Sequence, residues 1–190
     1  MSNWQNDDAW QKGIRDRFMP PIYRQWTIEG RFVFFEKSKC STLIQKRAAV
    51  DTALQTRRDL SVCIEEKFAR WPGYTYTAFF LETDSCTLPH KHSKGWMHYA
   101  LADQLLYAFV QNGEKELDAY LIKDFQKLKE WFWTVYEKYP ESTMPGDNRT
   151  RGRVVPIKDV ALAIEIERYR IADRGMYWQL PCVASLKKAG

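Results

Sequence analysis

Two short apolar runs with charges set into them constrain this chain more than any other feature. Ala48 to Thr56 reads as one strand and Leu60 to Phe68 as a second, and Thr56-Arg57-Arg58-Asp59 between them is polar and turn-like. Each run carries ionisable groups where a strand core is normally apolar: Asp51 in the first, Glu65-Glu66-Lys67 in the second. Side chains alternate along a strand, so Val62 and Ile64 point one way and Cys63, Glu65 and Lys67 the other. An odd-numbered loop, such as Arg57-Arg58-Asp59, sets Asp51 opposite Glu65 on one face, and two carboxylates and a lysine converge there. An even-numbered loop brings Glu66 to that face instead.

Such a patch has a chemical use. Two carboxylates a few ångströms apart repel each other and bind a hard divalent cation. Mg²⁺ keeps several waters and takes one or two protein carboxylates together with phosphate oxygens. A lysine beside the ion can orient a water and offset charge on a phosphate. These parts together suit phosphodiester hydrolysis.

The pattern resembles the PD-(D/E)XK nuclease superfamily, the restriction-endonuclease-like fold, in which an Asp on one strand and a Glu-x-Lys on the next form the active site. The matching residues are Asp51, Glu65 and Lys67, with Glu66 between the last two; residue 50 is Val where the superfamily's name has Pro. A second stretch, Gly95-Trp96 followed by Ala102-Asp103-Gln104-Leu105-Leu106-Tyr107, looks like a passage from a loop into a helix in phage and prophage members. The resemblance spans residues 48 to 135. It implies an α/β fold with a central mixed sheet flanked by helices, and a Mg²⁺-dependent nuclease, Mn²⁺ being an alternative ion. Asp51 and Glu65 would hold the metal, with Glu82 as a further ligand, and Lys67 would act on the water and the phosphate. DNA is the implied substrate ahead of RNA, and both a monomer and a homodimer stay open. A second reading is a catalytically inactive nuclease-fold protein that binds nucleic acid or a host or phage protein.

The chain's 190 residues are expected to form one domain, with a core over 28–139 and a C-terminal extension over 140–190. Hydrophobic content of 45% and aromatic content of 15% exclude a disordered chain. No apolar run approaches membrane-spanning length, and the N-terminus does not read as a signal peptide. Four scattered cysteines without a CxxC pair are then expected to be reduced thiols in a cytoplasm. A net charge of +5 favours a polyanionic partner.

The remaining segments read in order as follows. Residues 7 to 19 form a helix with Trp10, Ile14 and Phe18 on one stripe, capped by Asp7 or Asp8 and ended by Pro20-Pro21; its Asp16 lies opposite the stripe. Tyr74 to Thr83 is a third core strand, with Glu82 near its end. Ser85 to Lys94 is a basic loop whose Lys91 and Lys94 suit nucleic-acid phosphates. His90, His92, His98 and Cys86 are zinc-binding types, but their spacing matches no standard zinc pattern. A helix is expected over His98 to Val110, a strand over Leu117 to Phe125 and an amphipathic helix over Lys127 to Tyr139. Pro140 to Arg153 reads as a loop whose Arg149 and Arg151, with Arg153, suit phosphate contacts. Lys158 to Ala172 reads as a helix and Tyr177 to Val183 as a last edge strand.

Overall fold

A computed structural model describes residues 3–31, 34–39, 51–55, 61–70, 77–111, 113–144, 149–172 and 176–180. The chain begins with helix α1 (Asn3–Ile28), then β1 (Phe34–Lys39), β2 (Thr52–Gln55), β3 (Ser61–Arg70), β4 (Ala78–Cys86) and β5 (Ser93–Lys94). A short helix α2 (Trp96–Tyr99) leads to β6 (Gln104–Gln111), β7 (Glu116–Ile122) and helix α3 (Phe125–Val135), which ends in a 3₁₀ turn (Tyr136–Lys138). Strands β8 (Glu141–Thr143) and β9 (Arg151–Pro156), helix α4 (Ile157–Ala163) and strands β10 (Ile166–Ala172) and β11 (Met176–Leu180) follow.

The strands form two sheets. The larger has seven strands in the order β1-β2-β3-β6-β7-β10-β11; β3 and β6 run parallel and the other neighbours antiparallel, so the sheet is mixed. The smaller has four antiparallel strands in the order β5-β4-β9-β8. Two apolar cores sit on opposite faces of the larger sheet. One joins Ile14, Phe18, Met19, Ile22, Tyr23 and Trp26 of α1 to Leu54, Ile64, Phe68, Leu106, Leu117 and Tyr169. The other joins Leu105, Tyr107, Phe109 and Tyr120 to Phe79, Leu81 and Val155 of the smaller sheet and to α3 and α4. The order of layers is therefore α1, the large sheet, then the small sheet with the remaining helices. Among the described residues, no helix is long and apolar enough to cross a membrane.

Several elements differ from the sequence expectation, each for a physical reason. The fold is mixed α/β as expected, but β4 belongs to a second sheet and not to the sheet of the β2–β3 hairpin. Helix α1 does not stop at Pro20-Pro21. Each interior proline costs about 3 kcal/mol. Burying Phe18, Met19, Ile22, Tyr23 and Trp26 contributes roughly 1.5–3 kcal/mol apiece and outweighs that cost. The expected helix over 98–110 is only α2, four residues long, followed by strand β6. Leu105, Tyr107 and Phe109 enter one core and Leu106, Ala108 and Val110 the other. A strand buried on both faces is apolar throughout and imitates a buried helix in sequence. The likeness of Gly95 to Tyr107 to a loop-to-helix passage fails for the same reason. The expected helix over 158–172 is divided likewise: α4 ends at Ala163, and β10 turns Tyr169 and Ile171 into the α1 core. Within the expected loop over 140–153 lie β8 and the start of β9. Residues 141–172 supply strands to both sheets, β9 beside β4 and β10 beside β7.

The smaller sheet tolerates no side chain at Gly152. A Cβ there would lie 2.5 Å from the Leu81 carbonyl oxygen and 2.8 Å from the Phe80 ring. Gly152 pairs with Glu82 in the ladder, so a push at this point falls on the strand carrying Glu82. Gly152→Ala is expected to destabilise the protein by about 1–3 kcal/mol, measured by chemical denaturation. Unchanged stability would mean that β4 and β9 leave room for a side chain at this position.

Candidate active site

The hairpin register sets the site. Strands β2 and β3 pair Thr52 with Ile64, Ala53 with Cys63, Leu54 with Val62 and Gln55 with Ser61. Five residues, an odd number, separate the two strands, and Asp51, one residue before the paired stretch, has its carboxylate beside that of Glu65. The Asp51 N–H donates to the Ile64 carbonyl at 2.9 Å, and the Glu66 N–H donates to Asp51 Oδ2 at 2.9 Å. The backbone of β3 thus holds the Asp51 carboxylate in place. Residues 48–50 and 56, also assigned to the first strand from sequence, lie outside the described residues.

Alternation along β3 divides its charges between the two faces of the sheet. Glu65 and Lys67 share the face towards the smaller sheet and form an ion pair. The Lys67 ammonium lies 5.4 Å from the centre of the Trp96 ring. Glu66 points the other way, towards α1, where Arg15 Nε pairs with it and Thr52 Oγ1 donates to it at 3.0 Å. Arg15 also reaches Asp51 Oδ1 at 3.0 Å. One guanidinium therefore joins the buried Glu66 to the carboxylate that faces Glu65.

Burial governs the protonation of these groups. Glu65 is 3% exposed, and burial pushes its carboxyl up to about 7; Lys67 pulls it back down and Asp51 pushes it further up. Glu66 is 1% exposed, and burial pushes it up to about 7 against the opposing pull of Arg15, with Asp16 adding to the rise. Burial also opposes the charge on Lys67. The carboxylates of Glu65 and Asp51, with Glu82 beyond them, outweigh it and hold the ammonium above the ordinary lysine value. Arg15 follows the same balance, with Glu66 and Asp51 as the stabilising charges.

The other expected site residues are arranged as follows. Glu82, on β4, accepts a hydrogen bond from Ser85 Oγ and acts on Lys67 across the gap between the sheets. Gly95 lets the chain pass against its backbone, where a Cβ would lie 2.5 Å from the Glu82 carbonyl oxygen. Lys91 and Lys94 are exposed on the β4–β5 connection and on β5. Arg149 is exposed with a positive φ of 49°, and its carbonyl accepts from Thr87 Oγ1 at 2.9 Å. Thr150 Oγ1 donates to the Ser85 carbonyl at 3.2 Å, so the two basic segments meet. Arg151 and Arg153 sit on a strand, not a loop, and both approach Glu141, at 3.5 and 3.4 Å. Asp16 is exposed and lies 3.7 Å from Lys12. Asp103 has a structural role: its Oδ2 accepts from the Cys63 N–H at 2.7 Å, joining β3 to the start of β6.

Among the described residues, no group of three or more His, Cys, Asp or Glu side chains is arranged to hold a metal ion. Glu82 is thus not gathered with Asp51 and Glu65 into a three-carboxylate set. The histidines have other partners, His92 pairing with Asp84 at 3.0 Å and His98 packing on Trp133 at 4.5 Å between ring centres. The donors that do meet suit a hard divalent ion, because Mg²⁺ asks for only one or two protein carboxylates. Sequence reasoning missed Arg15, Thr52 and Trp96. Arg15 had a readable signal, since it lies on the same helical stripe as the buried Met19, Ile22 and Trp26. No family model, no curated protein and no solved structure matches this chain.

These carboxyls make stability depend on pH. Glu65 and Glu66 hold protons up to about 7 in the folded chain, against an ordinary value of 4.5. The folded state binds more protons between those values, so the stability they contribute is complete below 4.5 and is lost as pH rises through about 7. Denaturation across about pH 4.5 to 8 should show stability falling, and falling less in Glu66→Gln. Equal slopes in the two proteins would contradict the assignment of a buried, proton-retaining Glu66.

Proposed function

We propose that this chain is a divalent-metal-dependent nuclease that hydrolyses phosphodiester bonds, with DNA as substrate ahead of RNA. The observation that carries this reading is the β2–β3 hairpin, where the Asp51 carboxylate meets Glu65 and Lys67 pairs with Glu65 on the same face. An Asp at the start of one strand and a Glu-x-Lys on the next is the arrangement of the PD-(D/E)XK superfamily, and the mixed sheet is compatible with it.

In this reading Asp51 and Glu65 hold Mg²⁺ or Mn²⁺. The bound ion supplies charge neutralisation and acidifies a water. Lys67, kept protonated by its carboxylate neighbours, orients the attacking water and stabilises charge developing on the phosphate. Trp96 lies against the ammonium and limits where it can point. Glu82 adds negative charge facing Lys67 from the opposite sheet and accepts from Ser85. Lys91, Lys94 and Arg149 offer exposed charge for the nucleic-acid backbone. Arg151, paired with Glu141, offers less.

A second reading is a nuclease-fold protein that binds nucleic acid or another protein without cutting. The observation in its favour is that the chain's own cations already neutralise both carboxylates, Arg15 at Asp51 and Lys67 at Glu65. One experiment separates the two. Circular, linear and single-stranded DNA, with RNA alongside, are incubated in Mg²⁺, in Mn²⁺ and in EDTA with the natural chain, Lys67→Ala and Asp51→Ala. The nuclease reading expects metal-dependent cutting that falls about 100-fold or more in either variant. Cutting that survives both substitutions, or no cutting on any substrate, would overturn it.

A further inference from the structure

We infer that Arg15 is a positioning residue of this site: its guanidinium, anchored on the buried Glu66, holds the Asp51 carboxylate in register with Glu65. The inference rests on the nuclease reading and adds helix α1 to the machinery.

The geometry is specific. Arg15 Nε pairs with Glu66 Oε2, and Arg15 NH2 reaches Asp51 Oδ1 at 3.0 Å. Two carboxylates on different strands are thus bound by different nitrogens of one planar group, a task lysine cannot perform with a single ammonium. Glu66 is fixed in turn by Thr52 Oγ1 at 3.0 Å, and its own N–H holds Asp51 Oδ2 at 2.9 Å. Both oxygens of Asp51 therefore have a donor, and each donor belongs to the same pair of residues.

Anchoring α1 does not by itself account for this arrangement. The same helix already buries Ile14, Phe18, Met19, Ile22, Tyr23 and Trp26 against the sheet. Beside that contact a buried carboxylate and guanidinium are costly, and an apolar pair of similar volume serves stability as well or better. What an apolar pair cannot do is reach across to Asp51. The ion pair lies on the α1 face of the sheet, and its guanidinium reaches on to the candidate metal carboxylate just before β2.

The test removes the pair as a unit. Arg15→Met/Glu66→Gln deletes the guanidinium and the carboxyl that anchors it together, so neither of the two is left in the core without the other. Two readouts are taken: Mn²⁺ binding by isothermal titration without substrate, and steady-state DNA cleavage at saturating metal. The variant should melt near the natural chain's temperature, bind Mn²⁺ on the order of 10-fold more weakly, and show a similar loss in kcat with KM for DNA unchanged. Loss of either Mn²⁺ affinity or kcat in the folded variant supports the inference. Natural values of both overturn it and leave α1 with a packing role alone. If the double variant does not fold, Arg15→Lys carries the test; it keeps the charge but cannot bridge, and the same two readouts decide in the same way. A natural chain that neither binds Mn²⁺ nor cuts overturns the nuclease reading, and this inference with it. A natural chain that does both, beside an unaffected variant, overturns this inference alone.

Discussion

Strand β3 carries three consecutive ionisable residues while lying between two apolar cores, and much of the fold answers that constraint. A charge removed from water must find a partner or be neutralised, a carboxylate by gaining a proton and an ammonium by losing one. Glu65 and Lys67 satisfy each other on the face towards the small sheet. Glu66, turned to the other face, is met by Arg15 and Thr52. The partners come from the element before β3, from the first helix, and from β3 itself. The pairing of β2 with β3 and the seating of α1 are therefore coupled through charge as well as through apolar contact.

The same arrangement brings charged side chains to the seam between the sheets. Asp51, Glu65 and Lys67 come from the hairpin of the large sheet, and Glu82 of the small one acts on Lys67 from across the gap. Gly95 and Gly152 allow the close backbone approaches on either side of the Glu82 strand. Trp96 closes the patch beside Lys67. A low-dielectric wall of this kind raises the carboxyl of Glu65 and strengthens the field at Lys67. An ordinary solvated strand end would do neither.

The hairpin was legible in the sequence because its signals are local. Alternation placed Val62 and Ile64 against Glu65 and Lys67, and an odd loop gave the register that the structure has. Strand β7 was legible for the same reason, its odd positions in one core and its even positions in the other. The elements that escaped are those whose character depends on distant partners. Leu105 to Val110 is apolar on both faces because α1 lies on one side and the small sheet on the other, and no local pattern reveals that. The assignment of β4 to a second sheet depends on its pairing with β9, some seventy residues later. Arg15 escaped although it lies on the buried stripe of α1, because nothing local shows which acidic partners it meets.

The proposed function requires Asp51 and Glu65 together to form a site for a hard divalent cation. The most direct measurement is Mn²⁺ anomalous scattering from crystals of the protein, with Asp51→Asn crystals as control. A peak is expected within coordination distance of both carboxylates, lost or much reduced in the variant. A crystal that shows no Mn²⁺ at these residues, or shows it equally in Asp51→Asn, would contradict it.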